Sequence, residues 1–381
     1  MIGGDYQGLG IARSLGRHGI PVLVLDDELS IASTSRYVGA SVRTRDLRTD
    51  EGTIAALHAL ARSHDVTGWI LYPTRDETVA AIARRREELA ALFRVPTPGW
   101  DAIAFADDKR NTYRLAEGLG IPVPRSSVPG SFEAFDPVSQ PGPWVIKPAI
   151  KERFIYETKK KAWRADGMYQ LRDAFERAAA IVGPDEVIVQ ELIPGGGQQQ
   201  VAFCALCDNG RTVAEMTVRR LRQHPAEFGR ASTFAETVDL PEIASSARRF
   251  LEAMRCHGLV EVEFKRDPRD GRYKLLDVNA RTWGYHTLGA QAGVDFPYLL
   301  YLCETGQQVT PARARPGVGW VRLLTDVPTA LGEIWAARLS LGAYLSSLRR
   351  VRSDAVFSIR DPLPGLAELA LLPYLLVKRG A

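Results

Sequence analysis

The alternation of apolar and polar positions is clearest between Gly258 and Arg281, GLVEVEFKRDPRDGRYKLLDVNAR. Two β-rich runs, Leu259–Lys265 and Tyr273–Arg281, flank Asp-Pro-Arg-Asp-Gly, which reads as a hairpin turn. Successive strand side chains point to opposite faces. Val260, Val262 and Phe264 therefore share one face with Leu276, Val278 and Ala280, while Glu261 and Glu263 share the other with Asp277, Asn279 and Arg281. Tyr273 and Leu275 also fall on the second face, so that face turns from apolar to polar toward one end. Like charges across strands repel. Solvation of an ordinary wet hairpin, ion pairs with Lys265 and Arg281, or a bound divalent cation would each relieve the three carboxylates. Carboxylates plus an Asn oxygen suit Mg²⁺, especially when phosphates complete its octahedron.

Elsewhere the pattern predicts alternating strands and helices. Residues 1–30 read as a Gly-rich turn, a helix over Ile11–His18 and a strand over Pro21–Leu25, a βαβ opening of Rossmann type. The strand that should precede Gly3 is reduced to Met1 and Ile2. Helix Glu51–His64, strand Thr67–Tyr72 and helix Glu77–Leu89 follow, which argues for a parallel sheet. The loop Pro73–Glu77 falls at a strand's carboxyl end, where such sheets bind ligands. Arg75, Asp76 and Glu77 are then either substrate contacts or acidic helix caps, and the capping reading is preferred. Phe105–Pro124 contains a helix bounded by Asp107 and Gly120. Pro143–Pro148 is a short strand with Lys147 inside it, a costly place for a lysine unless it is paired.

Helix Leu171–Val182 leads to strand Val187–Glu191. The runs Gln200–Cys207 and Thr212–Thr217 form a hairpin through Asp208-Asn209-Gly210. Beyond it Arg220 and Arg222 share a face, a pattern suited to binding carboxylate or phosphate. An amphipathic helix, Ile243–Cys256, leads back to the acidic hairpin. After residue 310 come a Pro/Arg-rich linker, a strand Gly319–Leu324 and a helix Pro328–Leu348 with Leu331, Ile334, Trp335, Leu341, Leu345 and Leu348 as a packing stripe. The tail AELALLPYLLVKR docks on the body, joins a homodimer or rests on a membrane surface, the first two being preferred.

Composition narrows the class. The chain has 381 residues, 45% hydrophobic and 25% charged, which is ordinary for a globular protein of two or three domains. A net charge of +4 gives no nucleic-acid footprint. Four scattered cysteines argue for a reducing compartment, and Cys204 and Cys207 fall on opposite faces of one strand, as core residues do. No signal peptide opens the sequence and no transmembrane run of 18 or more apolar residues occurs, so a cytoplasmic protein is expected. The dinucleotide fingerprint fails, with Asp5 where its middle Gly should stand, which disfavours a nicotinamide-dependent oxidoreductase.

The pattern G-x-x-E, a turn, then L-L-D-x-N-x-R resembles the metal-binding hairpin of the ATP-grasp superfamily. Three further motifs arrive in that family's order: D-K at Asp108-Lys109, V-I-K-P ending at Pro148, and Q-E-L-I-P-G from Gln190. The resemblance covers about residues 1–310. It implies an α/β fold with a Rossmann-like domain (1–104), a small ATP-grasp lobe (105–191), a large lobe with the metal hairpin (192–310) and a mostly helical extension (311–381). It implies ATP and Mg²⁺ as cofactors. Lys109 and Lys147 would contact the nucleotide phosphates, Gln190 and Glu191 would flank adenine, and Leu192 and Ile193 would bond it through their backbones. Glu261 (with Glu263 as the alternative), Asp277 and Asn279 would hold the metal, and Arg281 would steady the transferred group.

Two departures from the family stand out. Asp277 replaces the usual, longer Glu, and residues 149–166 contain no glycine where many relatives place a Gly-rich phosphate flap. That segment is basic instead. It is either a solvated face or a lid of side-chain cations, with Lys159 and Lys161 as its contacts, and its K-A-W-R run resembles the ligase branch that includes D-aspartate ligase. Arg220 is a further catalytic candidate, and His286 is placed near substrate or simply packed. The activity implied is an ADP-forming ligase joining a small-molecule carboxylate to an amine. The alternative is a catalytically lapsed ATP-binding regulatory protein.

Overall fold

The computed structural model describes residues 1–225, 228–229 and 231–374; the last part of the tail, residues 375–379, lies outside the described residues. At the start of the chain the helix runs Tyr6–Arg17, beginning earlier than the Ile11 read from the pattern. Asp5 explains the difference, because its carboxylate accepts the Gln7 N–H at 2.9 Å and caps the first turn. Strand β1 (Leu23–Asp26) pairs in parallel with β2 (Ala40–Arg43). Ile2 bridges in parallel to both Leu25 and Pro73, so two residues do the work of the missing first strand. The strand expected over Thr67–Tyr72 shrinks to an Ile70–Arg94 bridge, since Gly68 takes a φ of 78° and interrupts the extended run. The helix expected over Glu77–Leu89 breaks at Arg85 into Asp76–Arg84 and Arg86–Ala90.

A second sheet contains β3 (Ser126–Ser127), β4 (Trp144–Pro148), β5 (Trp163–Ala165) and β6 (Val187–Glu191) in the order β3–β6–β4–β5. Helix Met168–Val182 covers one face, and Ile146, Phe154, Phe175 and Val189 pack between them. The third sheet is the largest. It contains β7 (Gln200–Asp208), β8 (Arg211–His224), β9 (Ala231–Thr237), β10 (Gly258–Arg266) and β11 (Tyr273–Asn279), joined by β12 (Ala312–Arg313), β13 (Gly319–Val321) and β14 (Val351–Asp354). Its order is β11–β10–β7–β8–β9–β13–β14, with β12 alongside β8. Along β7, Phe203, Ala205 and Cys207 enter the core beneath Phe250 and Phe264. Ala202, Cys204 and Leu206 enter the core on the opposite side, with Trp283, Phe296 and Trp320. The two cysteines thus occupy opposite faces, as the alternation predicts.

The segment after residue 310 is less helical than expected, because its three short strands extend the large sheet. Its long helix is two, Leu323–Trp335 and Leu341–Leu348, separated at Ala337 with a φ of 56°. The expected packing stripe is not packed. Leu331, Trp335, Leu341 and Leu345 are all exposed, and the first helix is buried instead through Asp326 and Ala330. Arg222 causes this by drawing the Asp326 carboxylate inward with bonds of 2.8 and 2.9 Å.

Candidate active site

In the acidic hairpin Glu261 stands opposite Asn279 and Glu263 opposite Asp277, all four on the face expected of them. A bulge then intervenes between Glu263 and Phe264, so Phe264 faces Leu275 and Leu276 is the extra residue. This corrects the two faces as read from strict alternation. Leu275 packs into the core with Phe264 and Val262, while Leu276 lines a cleft. The cleft opens between the second and third sheets, and Lys109, Lys147, Lys161, Glu263 and Asp277 also line it, with Gln190–Ile193 along one wall.

Arg220 approaches the carboxylates from β8 and lies 2.6 Å from Glu263 and 3.4 Å from Glu261. A register shift between Arg220 and Arg222 parts the two arginines expected on one face, which sends Arg222 to Asp326 and over the rings of Phe234 and Tyr344. Asn279 donates through Nδ2 to both glutamates at 3.1 Å, while its Oδ1 accepts from Lys151 at 2.9 Å and Arg281 at 3.2 Å. Tyr285 donates its hydroxyl to Glu261. Glu261 itself is not a cleft-lining residue; Glu263 is.

The lysines come from separate elements. Asp108 caps helix Lys109–Gly118, which fixes Lys109 at its first position with Nζ 3.2 Å from Asp277 Oδ1. Lys147 is buried on β4 and donates to the Tyr113 hydroxyl at 2.5 Å, above the same ring. The Gln190 amide donates to Tyr113 and Ser126. Glu191 is engaged by Lys274 and Arg269, both at 2.8 Å, and ties the second sheet to the hairpin turn. The Leu192 N–H donates to the Pro143 carbonyl, and Lys265 holds the Ile193 carbonyl at 2.8 Å.

One residue in this network went unselected in the sequence, and another was there preferred as a helix cap. Lys151 joins Asp76 at 3.0 Å as well as Asn279, and Asp76 also binds Arg281 at 2.9 Å. Asp76 thus reaches the site from the start of helix Asp76–Arg84 rather than acting only as an acidic cap. Its position at a strand's carboxyl end was the available signal; Lys151 was one cation in a run of six. Arg75 is taken by Asp26 and Asp27, and Glu77 by the Tyr156 hydroxyl. Lys159 lies apart from the cluster, its Nζ donating to the Tyr156 carbonyl. His286 turns away as well: it packs against the first helix so tightly that a Cβ on Gly10 would stand 2.5 Å from its Nε2.

Charge balance decides the protonation states. Burial would raise the Asp277 carboxyl, but Lys109, Lys151, Lys161 and Lys147 together hold it well below the usual carboxylate range. Burial likewise opposes ionisation of Glu263, and Arg220 with Lys161 outweighs it, so this carboxyl is lowered. Glu261 is pushed up, by burial first and by Glu263 beside it. Burial lowers the Lys161 ammonium. Among the described residues no group of three or more His, Cys, Asp or Glu side chains forms a metal cage. The cleft instead offers two facing carboxylates, Glu263 and Asp277, hard donors that fit Mg²⁺ sharing its shell with phosphates, while the Asn279 oxygen beside them is held by Lys151 and Arg281.

This fold and these motifs are those of the ATP-grasp superfamily, to which the chain is similar in sequence over its middle part and in fold over most of its length. Residues 185–323 match the family model described as "ATP-grasp in the biosynthetic pathway with Ter operon". The chain is 25% identical to D-aspartate ligase of Enterococcus faecium (strain Aus0004) over 298 residues, which are 74% of this chain and 70% of that one. Among solved structures it resembles the biotin carboxylase β-γ-ATP complex of Campylobacter jejuni, with a TM-score of 0.64 at 15% identity over 81% of this chain and 71% of the other. It also resembles L-amino acid ligase of Bacillus licheniformis, with a TM-score of 0.60 at 15% identity over 84% and 77% of the two chains.

Proposed function

We propose that the protein is an ADP-forming ligase that joins a carboxylate to an amine through an acyl phosphate, with an amino acid among its substrates. The observation that carries this reading is the facing pair Glu263–Asp277 in a cleft with Lys109, Lys147 and Lys161. The names of two relatives, D-aspartate ligase and L-amino acid ligase, support the substrate class. Glu263, Asp277 and Asn279 would hold Mg²⁺, which supplies charge neutralisation at the phosphates when bound. In the first step a substrate carboxylate oxygen attacks the γ-phosphorus and the bond to the ADP oxygen breaks. The amine lone pair then attacks the acyl carbon, phosphate departs, and the nitrogen loses a proton. Lys109, Lys147 and Lys161 would bind the phosphates and offset the charge that shifts toward ADP. Arg281, held by Asp76, would orient the transferred group.

Hydroxylamine tests this chemistry. With Mg-ATP, the right amino acid and hydroxylamine, a hydroxamate should accumulate in step with ADP, and Glu263→Gln should suppress both. ADP without hydroxamate across a broad carboxylate panel would overturn acyl-phosphate ligation. Tight ATP binding with neither product would establish the lapsed-enzyme reading.

A further inference from the structure

A cavity of about 410 Å³ lies apart from the cleft beside the acidic hairpin and shares no lining residue with it. Three parts of the chain wall it. The first helix contributes Gly10, Arg13, Ser14 and Arg17, and helix Thr287–Ala292 contributes Thr287, Ala290 and Gln291 after His286. The third wall is the segment from Arg352 on β14 to Arg360. Its size is that of a small-molecule pocket, on the order of 300–1,000 Å³. Two of its lining residues carry buried polar atoms without a hydrogen bond, Ser353 at Oγ and His286 at Nε2. The Trp283 carbonyl can only accept, so His286 keeps its proton on Nδ1 and Nε2 is left as an unused acceptor.

Charge identifies the class of ligand. Four arginines and two aspartates line the cavity. Both aspartates are spent within the fold: Asp295 accepts the Ser14 hydroxyl at 2.6 Å, and Asp354 accepts three backbone N–H groups through its two oxygens. Arg13 is matched by Asp361 at 2.9 Å, and both are buried. Arg17, Arg352 and Arg360 are exposed at the cavity, and none of them forms an ion pair among the described residues. Arg17 spends only its Nε, on the Arg13 carbonyl at 2.8 Å. A guanidinium presents a planar fork of N–H donors that matches a carboxylate or a phosphate. Three such forks around one cavity, with its acids already engaged, select an anion over a neutral or cationic ligand. Tyr37 and Phe357 beside them offer apolar wall to the rest of the molecule.

We infer that this cavity binds a small molecule bearing a carboxylate or phosphate group, at a site separate from the cleft. The test is titration calorimetry of the full chain at low ionic strength, with inorganic phosphate and citrate as probes. At least one probe should bind saturably, with Kd of about 1 mM or tighter, and the preferred probe tells which acid group the cavity takes. Arg352→Gln/Arg360→Gln should weaken that binding about tenfold or more, with the melting temperature of the free protein unchanged. Lys147→Ala, in the cleft, should leave the binding intact. So should Arg62→Glu, which makes the same change in net charge at an exposed arginine of helix Asp50–Ser63. No saturable binding of either probe would overturn the inference. Binding lost in Lys147→Ala but kept in the Arg352/Arg360 variant would also overturn it, by placing the anion in the cleft. An equal loss in Arg62→Glu would do the same, by reducing the effect to net charge. None of these outcomes depends on whether a hydroxamate forms, so the two readings stand or fall separately.

Discussion

The strand hairpin β10–β11 and the helical hairpin 323–348 invert the usual partition of polar and apolar residues in opposite senses. In the first, Glu261, Glu263, Asp277 and Asn279 are all buried. In the second, four leucine or tryptophan side chains read as packing residues stand in solvent. Buried charge is tolerated when each group has a partner, and in the strand hairpin Arg220, Lys109, Lys151 and Tyr285 are those partners. Exposed apolar surface has no internal compensation, and its partner has to come from outside. The comparison teaches that one departure from the inside–outside rule is balanced within the chain, and the other is not.

The strongest way to break this comparison is to remove a partner from the buried side. Arg220→Met should destabilise the fold by about 3–5 kcal/mol, because it removes the ion-pair partner of two buried carboxylates. Adding Glu263→Gln should recover part of that loss, a coupling readable by chemical denaturation of the single and double variants. Equal stability of Arg220→Met and wild type would show that the carboxylates do not depend on their arginine. Next in size is catalysis. Asp277→Asn should lower Mg-ATP turnover by about 10²–10³-fold, while Asp277→Glu retains activity. Full activity in Asp277→Asn would remove this carboxylate from the site.

How much of this could be read in the sequence differs between the two regions for physical reasons. That Glu263 and Asp277 share a face followed from period-two alternation, and the order of the four motifs led to the family resemblance. The bulge at Leu276 did not follow, because alternation carries no record of an inserted residue and only packing against Phe264 reveals it. The same holds on β8, where a register shift separated Arg220 from Arg222. Asp76 was visible as a candidate, but its partners Lys151 and Arg281 lie 75 or more residues away, beyond any local pattern. In the helical hairpin one helix was read where two form, and the exposed stripe was taken for a packed one. A stripe says which residues share a face, not whether the chain covers that face.

His286 sharpens the contrast from a third side, as a buried ionisable group with no ion pair among the described residues. Its Nδ1 lies 2.9 Å from the Trp283 carbonyl and its Nε2 has no bond. Burial pushes its pKa from 6.5 down to about 4, only partly offset by the Trp283 carbonyl, Asp295 and Asp5. Above pH 6.5 both folded and unfolded forms are neutral and the group contributes no pH dependence. As pH falls from about 6.5 to about 4 the unfolded chain takes up the proton first, so stability drops, by up to about 3 kcal/mol. Denaturant midpoints measured across that window should fall less steeply in His286→Gln. Parallel slopes for the two proteins would mean that His286 is charged in the fold.

The smallest expected effect tests the exposed side. If the leucines and Trp335 of the helical hairpin contribute nothing to the folded monomer, Leu331→Ser and Trp335→Ser should each change stability by no more than about 0.5 kcal/mol, the range for surface substitutions. Tyr344, buried on the second helix of the same hairpin and stacked near Arg222, provides the control. Tyr344→Ser removes an aromatic ring from that contact and should cost clearly more, on the scale of about 3–5 kcal/mol for a lost core aromatic. The two kinds of substitution lie on the same hairpin, so the difference isolates burial from membership of the element. A loss at Leu331 or Trp335 as large as that at Tyr344 would show that the stripe is covered within the protein in solution. The inverted partition would then disappear, and with it the reason to seek an outside partner.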